Sequence, residues 1–223
     1  RKKGREMVTA QPSRFIKEMD LYNAAEKTER TVFRQAAISW TGSGGNTLWS
    51  NAANWSGGVV PVAGDSVTFT GAVNCTIDTA VNVANITLDA NFTGTITQRA
   101  NVTITNNYVQ QAGKWVDATP TQHTFTVGNS FSIPTAPAAF NRYGPQINGA
   151  YQVRDVFDLQ AMQGYLTSNF KLTRDLDASN TANWNGGTGF EPIGYTTNDP
   201  WFTKGVVKSV APTHAFRGIF NGG

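Results

Sequence analysis

The chain has 223 residues, enough for one large domain or two small ones, and 39% of them are hydrophobic, so it can bury a sizeable core. Charged residues make up 15%, below the usual quarter, and no apolar run approaches the roughly 20 residues of a membrane helix, so we predict no transmembrane segment. The one cysteine, Cys75, excludes an internal disulfide, and its apolar context "VNCTID" predicts a small core residue.

The net charge of +3 is distributed unevenly along the chain. Residues 1–36 carry nine Lys or Arg and five Asp or Glu, giving +4, whereas residues 37–223 carry nine and ten, giving −1. A basic segment of this kind could meet nucleic acid or an acidic surface, and a solvated charged helix explains the charge equally well. The chain starts at Arg1 and stops at Gly223 within a motif, so we expect a fragment of a longer protein.

Residues 12–36 have the pattern of an amphipathic helix. Pro12 suits a first helical turn, and Phe15, Met19 and Tyr22 recur at spacings that place them on one face. Charged residues fill the other faces. This apolar stripe needs a partner surface, because a helix this short is marginal on its own in water.

From Ile38 the apolar period changes to two, and no long helical pattern occurs before residue 150. Short β-branched or aromatic runs alternate with turn residues, which predicts an all-β sandwich, barrel or solenoid. Asn and Thr recur at comparable places, and this degenerate self-similarity favours a solenoid, in which stacked rungs supply each other's core. The predicted strands are "SVTFT" (66–70), "NITLD" (85–89), "GTITQ" (94–98), "NVTIT" (101–105), "KWVD" (114–117) and "HTFTV" (123–127).

A connection rich in Pro, Gly and Ala over residues 134–150 precedes a second predicted region. "YQVRDVFDLQAMQGYL" (151–166) carries one short helix with Leu159 and Met162 as core candidates, and "NFKLTRDLDAS" (169–179) returns to strand. The predicted organisation is a basic helical segment over 1–36, a β-solenoid region over 37–140 and a second β-solenoid region over 141–223.

Four motifs of the second region occur in the order found in GLUG-type repeat regions of bacterial surface adhesins, which they resemble. They are "YQVRDVFDLQAM", "FKLTRDLDAS", "FEPIG" and "FRGIFNGG". Asn221 departs from that pattern, which more often has Asp. Residues 40–71, "WTGSGGNTLWSNAANWSGGVVPVAGDSVTFTG", resemble a module of secreted autotransporter and haemagglutinin-like proteins. Both resemblances imply a right-handed parallel β-helix that is exported and displayed on the bacterial surface.

The first twenty residues resemble the C-terminal end of UvrD/Rep-type DNA helicases, where a basic stretch leads into "PSRFI" and a Glu, here Glu18. The resemblance implies contacts with nucleic acid, for which the candidates are Lys2, Lys3, Arg5 and Arg14. The chain has no "GxxxxGK[ST]" phosphate loop and no acidic metal-binding strand motif, so we predict no motor activity. A third explanation is that a joined reading frame placed this segment ahead of an unrelated β-rich protein.

Two groups of side chains are candidates for a binding site. Trp40, Trp49 and Trp55 cluster with Gly and Asn, and exposed indoles of this kind stack on sugars or fill protein interfaces. The alternative is that these indoles cap one end of the solenoid core. Asp175 and Asp177 alternate in "RDLDAS", so on a strand both carboxylates face one side and could ligate Ca²⁺, or they lie at a strand end where Asp177 bonds turn amides.

Catalytic motifs are sparse. His123 and His214 lie far apart in sequence with no acidic or Cys partner at metal-ligand spacing, and the acids from residue 37 onward form no cluster. A polysaccharide lyase or hydrolase needs convergent carboxylates or a basic residue in a groove. We therefore predict a non-enzymatic chain without a required cofactor.

The resulting hypothesis is a fragment of a secreted or cell-surface bacterial adhesin. It would bind glycans or surface proteins of host or neighbouring cells through solenoid side chains and loops. The alternative is a helicase-derived, nucleic-acid-binding segment fused to a β-rich region.

Overall fold

The computed structural model describes residues 37–117, 123–133, 139–194, 202–203, 206–207 and 216–222. The helix predicted over 12–36 lies outside these residues. The first described strand begins at Ala37, the residue at which the sequence changes its period.

In the described ranges, three parallel sheets form the first part of a β-solenoid, and each complete turn contributes one strand to each sheet. The strands are β1 (Ala37–Ser39), β2 (Ser66–Phe69), β3 (Cys75–Ile77), β4 (Val81–Val83), β5 (Asn85–Leu88), β6 (Thr95–Gln98), β7 (Val102–Ile104), β8 (Tyr108–Gln110), β9 (Lys114–Val116), β10 (Phe125–Val127), β11 (Phe131–Ser132) and β12 (Phe140–Asn141). The sheets have the orders β1-β2-β5-β8-β11, β3-β6-β9-β12 and β4-β7-β10.

The register of these sheets confirms the predicted solenoid and excludes a sandwich of antiparallel hairpins. Val67 pairs in parallel with Ile86, Ile86 with Tyr108, and Tyr108 with Phe131. Parallel neighbours cannot be joined by a tight hairpin, so the chain must travel around a full turn before it pairs again. The solenoid has about five turns.

Alternation along each strand determines which side chains fill the interior. In β2 the buried positions are Val67 and Phe69, and Ser66 and Thr68 lie half-buried between them. Stacking places apolar residues on one another from turn to turn, as in the column of Cys75, Ile96 and Trp115. Each fully buried aliphatic or aromatic side chain contributes about 1.5–3 kcal/mol, so the stacked columns supply the core that no single turn has.

A column of polar side chains explains why Asn recurs at comparable places. Asn85 donates from Nδ2 to Oγ of Ser66 at 2.9 Å, and its Oδ1 accepts from the backbone N–H of Asn107 at 3.1 Å. Asn129 continues the column by donating from Nδ2 to Oδ1 of Asn107 at 2.9 Å. The amide satisfies backbone and side-chain groups of the neighbouring turn, which an apolar residue at these positions could not do.

The second part of the fold combines a small parallel sheet with short helices. Its sheet has the order β13-β14-β17, and an antiparallel pair, β15 and β16, lies between β14 and β17 in sequence. The elements are β13 (Tyr151–Val153), helix α1 (Val156–Ala161), β14 (Phe170–Leu172), the single helical turn α2 (Trp184–Gly187), β15 (Phe202–Thr203), β16 (Val206–Val207) and β17 (Phe220–Asn221), with 3-10 turns at Ala52–Asn54, Met162–Gly164 and Ser179–Asn183.

Helix α1 confirms the helix predicted in "YQVRDVFDLQAMQGYL". Asp155 is its N-cap residue and accepts from the backbone N–H of Asp158 at 2.8 Å, which satisfies one of the free donors of the first turn. Met162 is buried and Leu159 is half-buried against the core, as predicted.

Aromatic contacts join the two parts into one hydrophobic core. Phe131 lies 5.0 Å from Phe157 between ring centroids, and Phe157 stacks on Trp184 at 5.3 Å. These contacts connect β11 with α1 and α2. Pairs of this geometry add about 0.5–1.5 kcal/mol beyond the area they bury.

Candidate functional site

A groove of 590 Å³ lies where strand β10 faces the residues that precede α1 and follow β14. It is lined by residues 123–127, 154–157 and 173–177, together with Asn180. Phe125, Val127 and Phe157 of this lining are buried, whereas Thr124, Thr126 and Thr173 are exposed. The lining of the groove therefore combines buried apolar side chains with exposed threonine hydroxyls.

His123 enters the groove wall with its imidazole oriented by a buried acid. Its Nδ1 lies 3.2 Å from Oδ2 of Asp117, and its backbone N–H donates to the same oxygen at 3.0 Å. The side chain of Asp117 is fully buried, whereas that of His123 is 22% exposed. A carboxylate only accepts, so this bond needs the hydrogen on Nδ1 and leaves Nε2 as the acceptor of a neutral imidazole.

The sequence predicts no acidic partner of His123 at metal-ligand spacing, and the partner that the structure supplies, Asp117, lies at another spacing. Asp117 precedes it by six residues, a spacing that matches no metal-ligand motif. The two come together because the chain leaves β9 and enters β10 on neighbouring walls of the solenoid. The signal in the sequence was an acid at the end of one predicted strand and a histidine at the start of the next.

A buried arginine lies beneath the groove. Arg142 donates from Nη1 to both carboxylate oxygens of Asp155, at 3.2 and 3.0 Å, and from Nη2 to the carbonyl of His123 at 3.2 Å. Oδ1 of Asp158 lies 3.5 Å from the same Nη1. The guanidinium also lies over the ring of Phe125, 5.1 Å from its centroid. Arg142 thus ties the backbone of the groove wall to the start of α1.

Burial lowers the pKa of Arg142, but the charges of Asp155 and Asp158 outweigh this and raise the pKa above its ordinary value. The guanidinium is therefore charged at neutral pH. The function of this cluster is to fix the groove wall, since Arg142 itself is buried below the lining residues.

Two further arginines belong to the groove lining. Arg154 donates from Nη2 to the carbonyl of Tyr143 at 2.8 Å, and Nε of Arg174 donates to the carbonyl of Arg154. Another nitrogen of the Arg154 guanidinium, Nη1, is buried and has no hydrogen-bond partner among the described residues. This nitrogen is therefore a hydrogen-bond donor in the groove lining for which the described residues supply no acceptor.

The acidic residues of the lining are Asp155, Asp175 and Asp177. For the last two, the sequence left open a placement on one side of a strand as calcium ligands or a placement at a strand end where Asp177 bonds turn amides. The strand placement is wrong because β14 ends at Leu172. Asp177 instead accepts at Oδ1 from the N–H of Ser179 at 2.9 Å, and this hydrogen bond holds the pKa of Asp177 below its usual value. In the described part of the chain, no group of three or more His, Cys, Asp or Glu residues is arranged to hold a metal ion.

The structure does not place the predicted tryptophans on the surface. Trp40, Trp49 and Trp55 are only 3%, 1% and 2% exposed, and they pack edge to face with ring centroids 4.5 to 4.8 Å apart. Rings buried to this extent offer no open face for a sugar or a partner protein. The three indoles form part of the core next to Phe69, in agreement with the alternative that they cap the solenoid.

One further prediction is confirmed, and other predicted site residues lie outside the described part of the chain. Cys75 is buried in β3 as predicted. The nucleic-acid candidates Lys2, Lys3, Arg5 and Arg14 lie outside the described residues, as does His214. No described helix combines the length and apolar character needed to cross a membrane.

Comparison with known proteins gives one local match. An alignment 54 residues long, which covers 22% of this chain, is 43% identical to halomucin of Haloquadratum walsbyi (strain DSM 16790 / HBSQ001), of which it covers 1%. The chain thus matches only a small part of a far longer protein. No family model and no solved structure matches the chain.

Proposed function

We propose that this chain is part of a secreted or cell-surface bacterial adhesin that acts by binding, and that the groove beside β10 is its ligand site. The observation that carries the proposal is the lining of the groove. Guanidinium donors, carboxylate acceptors and threonine hydroxyls line a groove of 590 Å³ together with buried apolar side chains. A polyhydroxylated ligand presents donors and acceptors on every edge, so a glycan fits this lining better than an apolar ligand does.

The fold and the sequence motifs support a surface role. A parallel solenoid is an extended scaffold whose side chains repeat at regular spacing, which suits display and multivalent contact. The four ordered motifs between Tyr151 and Gly223 resemble GLUG-type repeat regions of adhesins, and residues 40–71 resemble an autotransporter-type module. The local match to halomucin is compatible with a chain that forms one part of a long surface protein.

Glycan-array screening followed by titration calorimetry with the best ligand tests this function. Arg174→Ala removes an exposed guanidinium from the groove, and Asp175→Asn replaces an exposed carboxylate by a neutral amide. We expect each to weaken binding at least tenfold. The matched control is Arg99→Ala, which removes an exposed arginine outside the groove lining and should leave binding unchanged. Absence of glycan binding, or equal losses in all three variants, would contradict the proposal.

A second candidate function follows from the pair of Asp117 and His123. An imidazole oriented by a buried carboxylate at the wall of a groove is the arrangement of a general base. Cleavage of a bound polysaccharide would then depend on His123. New reducing ends or unsaturated products that disappear in His123→Gln while glycan binding persists would establish this activity, and their absence in the native chain would favour binding alone.

A further inference from the structure

The sequence contains five Asn-X-Ser/Thr sequons, at Asn54, Asn74, Asn85, Asn91 and Asn101. Asn/Thr-rich strands generate such triplets by chance, so the sequence alone does not distinguish a glycan acceptor among them. Transfer of a glycan requires that the side-chain amide be exposed and free, and that the attached sugar have room. The five asparagines differ sharply in these respects.

Four of the sequons are engaged by the solenoid itself. Asn54 is fully buried, accepts from the N–H of Gly44 at 2.7 Å and donates to the carbonyl of Leu48 at 2.9 Å. Asn85 belongs to the polar column described above.

Asn74 and Asn101 are exposed, but each accepts at Oδ1 from a backbone N–H of the next turn. The donors are Thr95 at 2.8 Å and Thr124 at 3.0 Å. Both asparagines directly precede a strand, β3 and β7, whose neighbours lie about 4.8 Å away. These bonds use Oδ1 and hold each side chain against the next turn, so a sugar attached to Nδ2 would have to fit beside that turn.

Asn91 is in a different environment, a tight turn between β5 and β6. Its backbone N–H donates to Oδ1 of Asp89 at 2.9 Å, and the N–H of Phe92 donates to the carbonyl of Asp89 at 3.1 Å. The side chain of Asn91 is exposed and makes no hydrogen bond within the described part of the chain. This sequon therefore offers a free amide on a surface turn.

The rest of the triplet fits an acceptor as well. Phe92 is 0% exposed and packs against Phe69, with ring centroids 5.6 Å apart, so it anchors the turn in the core. Thr93 is exposed on the same outer side as Asn91 and is held by its N–H, which donates to the carbonyl of Gly71 at 2.7 Å. The asparagine and the threonine thus face solvent together on a fixed backbone.

We propose that Asn91 is an N-glycosylation site and that the other four sequons are silent in the folded chain. The donor is a lipid pyrophosphate-linked oligosaccharide. A bond forms between Nδ2 of Asn91 and the anomeric carbon, the bond from that carbon to the pyrophosphate oxygen breaks, the lipid pyrophosphate leaves, and a proton of Nδ2 passes to a base of the transferase. Encounter with a transferase in the cell depends on the export assumed in the proposed function.

The test is transfer in vitro with the full chain, so it does not depend on export. The folded chain is incubated with a purified bacterial oligosaccharyltransferase and its lipid-linked donor, and intact mass is measured before peptide mapping. A standard acceptor peptide shows that the enzyme is active. We expect a mass increase of one glycan on the native chain, located at Asn91.

Asn91→Gln should abolish the increase, and Asn101→Gln, the matched control at another exposed sequon, should retain it. Thr93→Val, which keeps the shape but removes the hydroxyl of the triplet, should also abolish it. No increase on the native chain, or a glycan at any other asparagine, would overturn the proposal. Such a result would leave glycan binding in the groove unaffected, because the turn of Asn91 is not part of the groove lining.

Discussion

Nη1 of Arg142 lies 3.0 Å from Oδ2 of Asp155, in an ion pair whose arginine side chain is 0% exposed. The pair connects the residue that follows β12 with the N-cap of α1, so it joins the first part of the solenoid to the second. Asp155 belongs to the groove lining, and Arg142 also bonds the carbonyl of His123 in that lining. Loss of the ion pair should therefore affect both the stability of the fold and the shape of the candidate site.

We expect Arg142→Met to lower the free energy of unfolding by about 3–5 kcal/mol, since it leaves the buried carboxylate of Asp158 and the half-buried one of Asp155 without this cation. Urea denaturation followed by tryptophan fluorescence measures the effect. The matched control is Arg99→Met at an exposed position, where we expect a change within about 0.5 kcal/mol. Equal stability of the two variants would show that Arg142 does not hold the two parts together.

The buried tryptophans should affect folding and not ligand contact. Trp55 donates from Nε1 to the carbonyl of Trp49 at 2.8 Å, and both rings lie in the core. Trp49→Ala and Trp55→Ala should each destabilise the chain by about 3–5 kcal/mol. Val59→Ala, at a side chain 53% exposed, serves as the control and should be nearly neutral. A tryptophan variant with native stability but impaired glycan binding would instead restore these residues as a site.

Asp78 should contribute to the pH dependence of stability. Partial burial opposes ionisation, but hydrogen bonds from Oγ of Ser50 at 2.5 Å and its N–H at 3.0 Å lower the pKa of Asp78 below its usual value. Because the folded pKa is the lower one, this stabilisation is present above the ordinary pKa of about 3.9 and is lost as the pH falls through the folded value.

Comparison of the native chain with Asp78→Asn at pH 6 and at successively lower pH tests this. The native chain should be the more stable at pH 6, and the difference should shrink below about pH 4. A difference that stays constant throughout would show that Asp78 acts by shape and not by charge.

Cys75 should be chemically inert in the folded protein. Burial, and then the nearby charge of Asp78, raise the pKa of its thiol well above the ordinary range, so almost no thiolate forms at neutral pH. A disulfide reagent at pH 8 should therefore leave the native chain unmodified and should react stoichiometrically after unfolding in urea. Rapid reaction of the native chain would mean that β3 opens readily.

Much of the fold could be predicted from local pattern. The alternation in "SVTFT", "NITLD" and "NVTIT" fixed strand type, and the recurrence of Asn and Thr favoured stacked turns over a sandwich. Both expectations are confirmed by β2, β5 and β7 and by their parallel pairing. These features are encoded within a few residues, because the side-chain period follows from backbone geometry alone.

The sequence by itself determined the strands of the solenoid turns, helix α1, the buried cysteine and the polar recurrence of the turns. The tertiary structure decided that Trp49 faces the core and that Asp177 accepts a hydrogen bond in a turn. It also decided that Asp117 contacts His123. Among the five sequon asparagines, it left only Asn91 both exposed and without a side-chain hydrogen bond to the described residues. Such relations depend on which turn stacks on which. Contacts between residues distant in sequence arise from packing of the turns, and the local alternation of apolar and polar residues does not predict them.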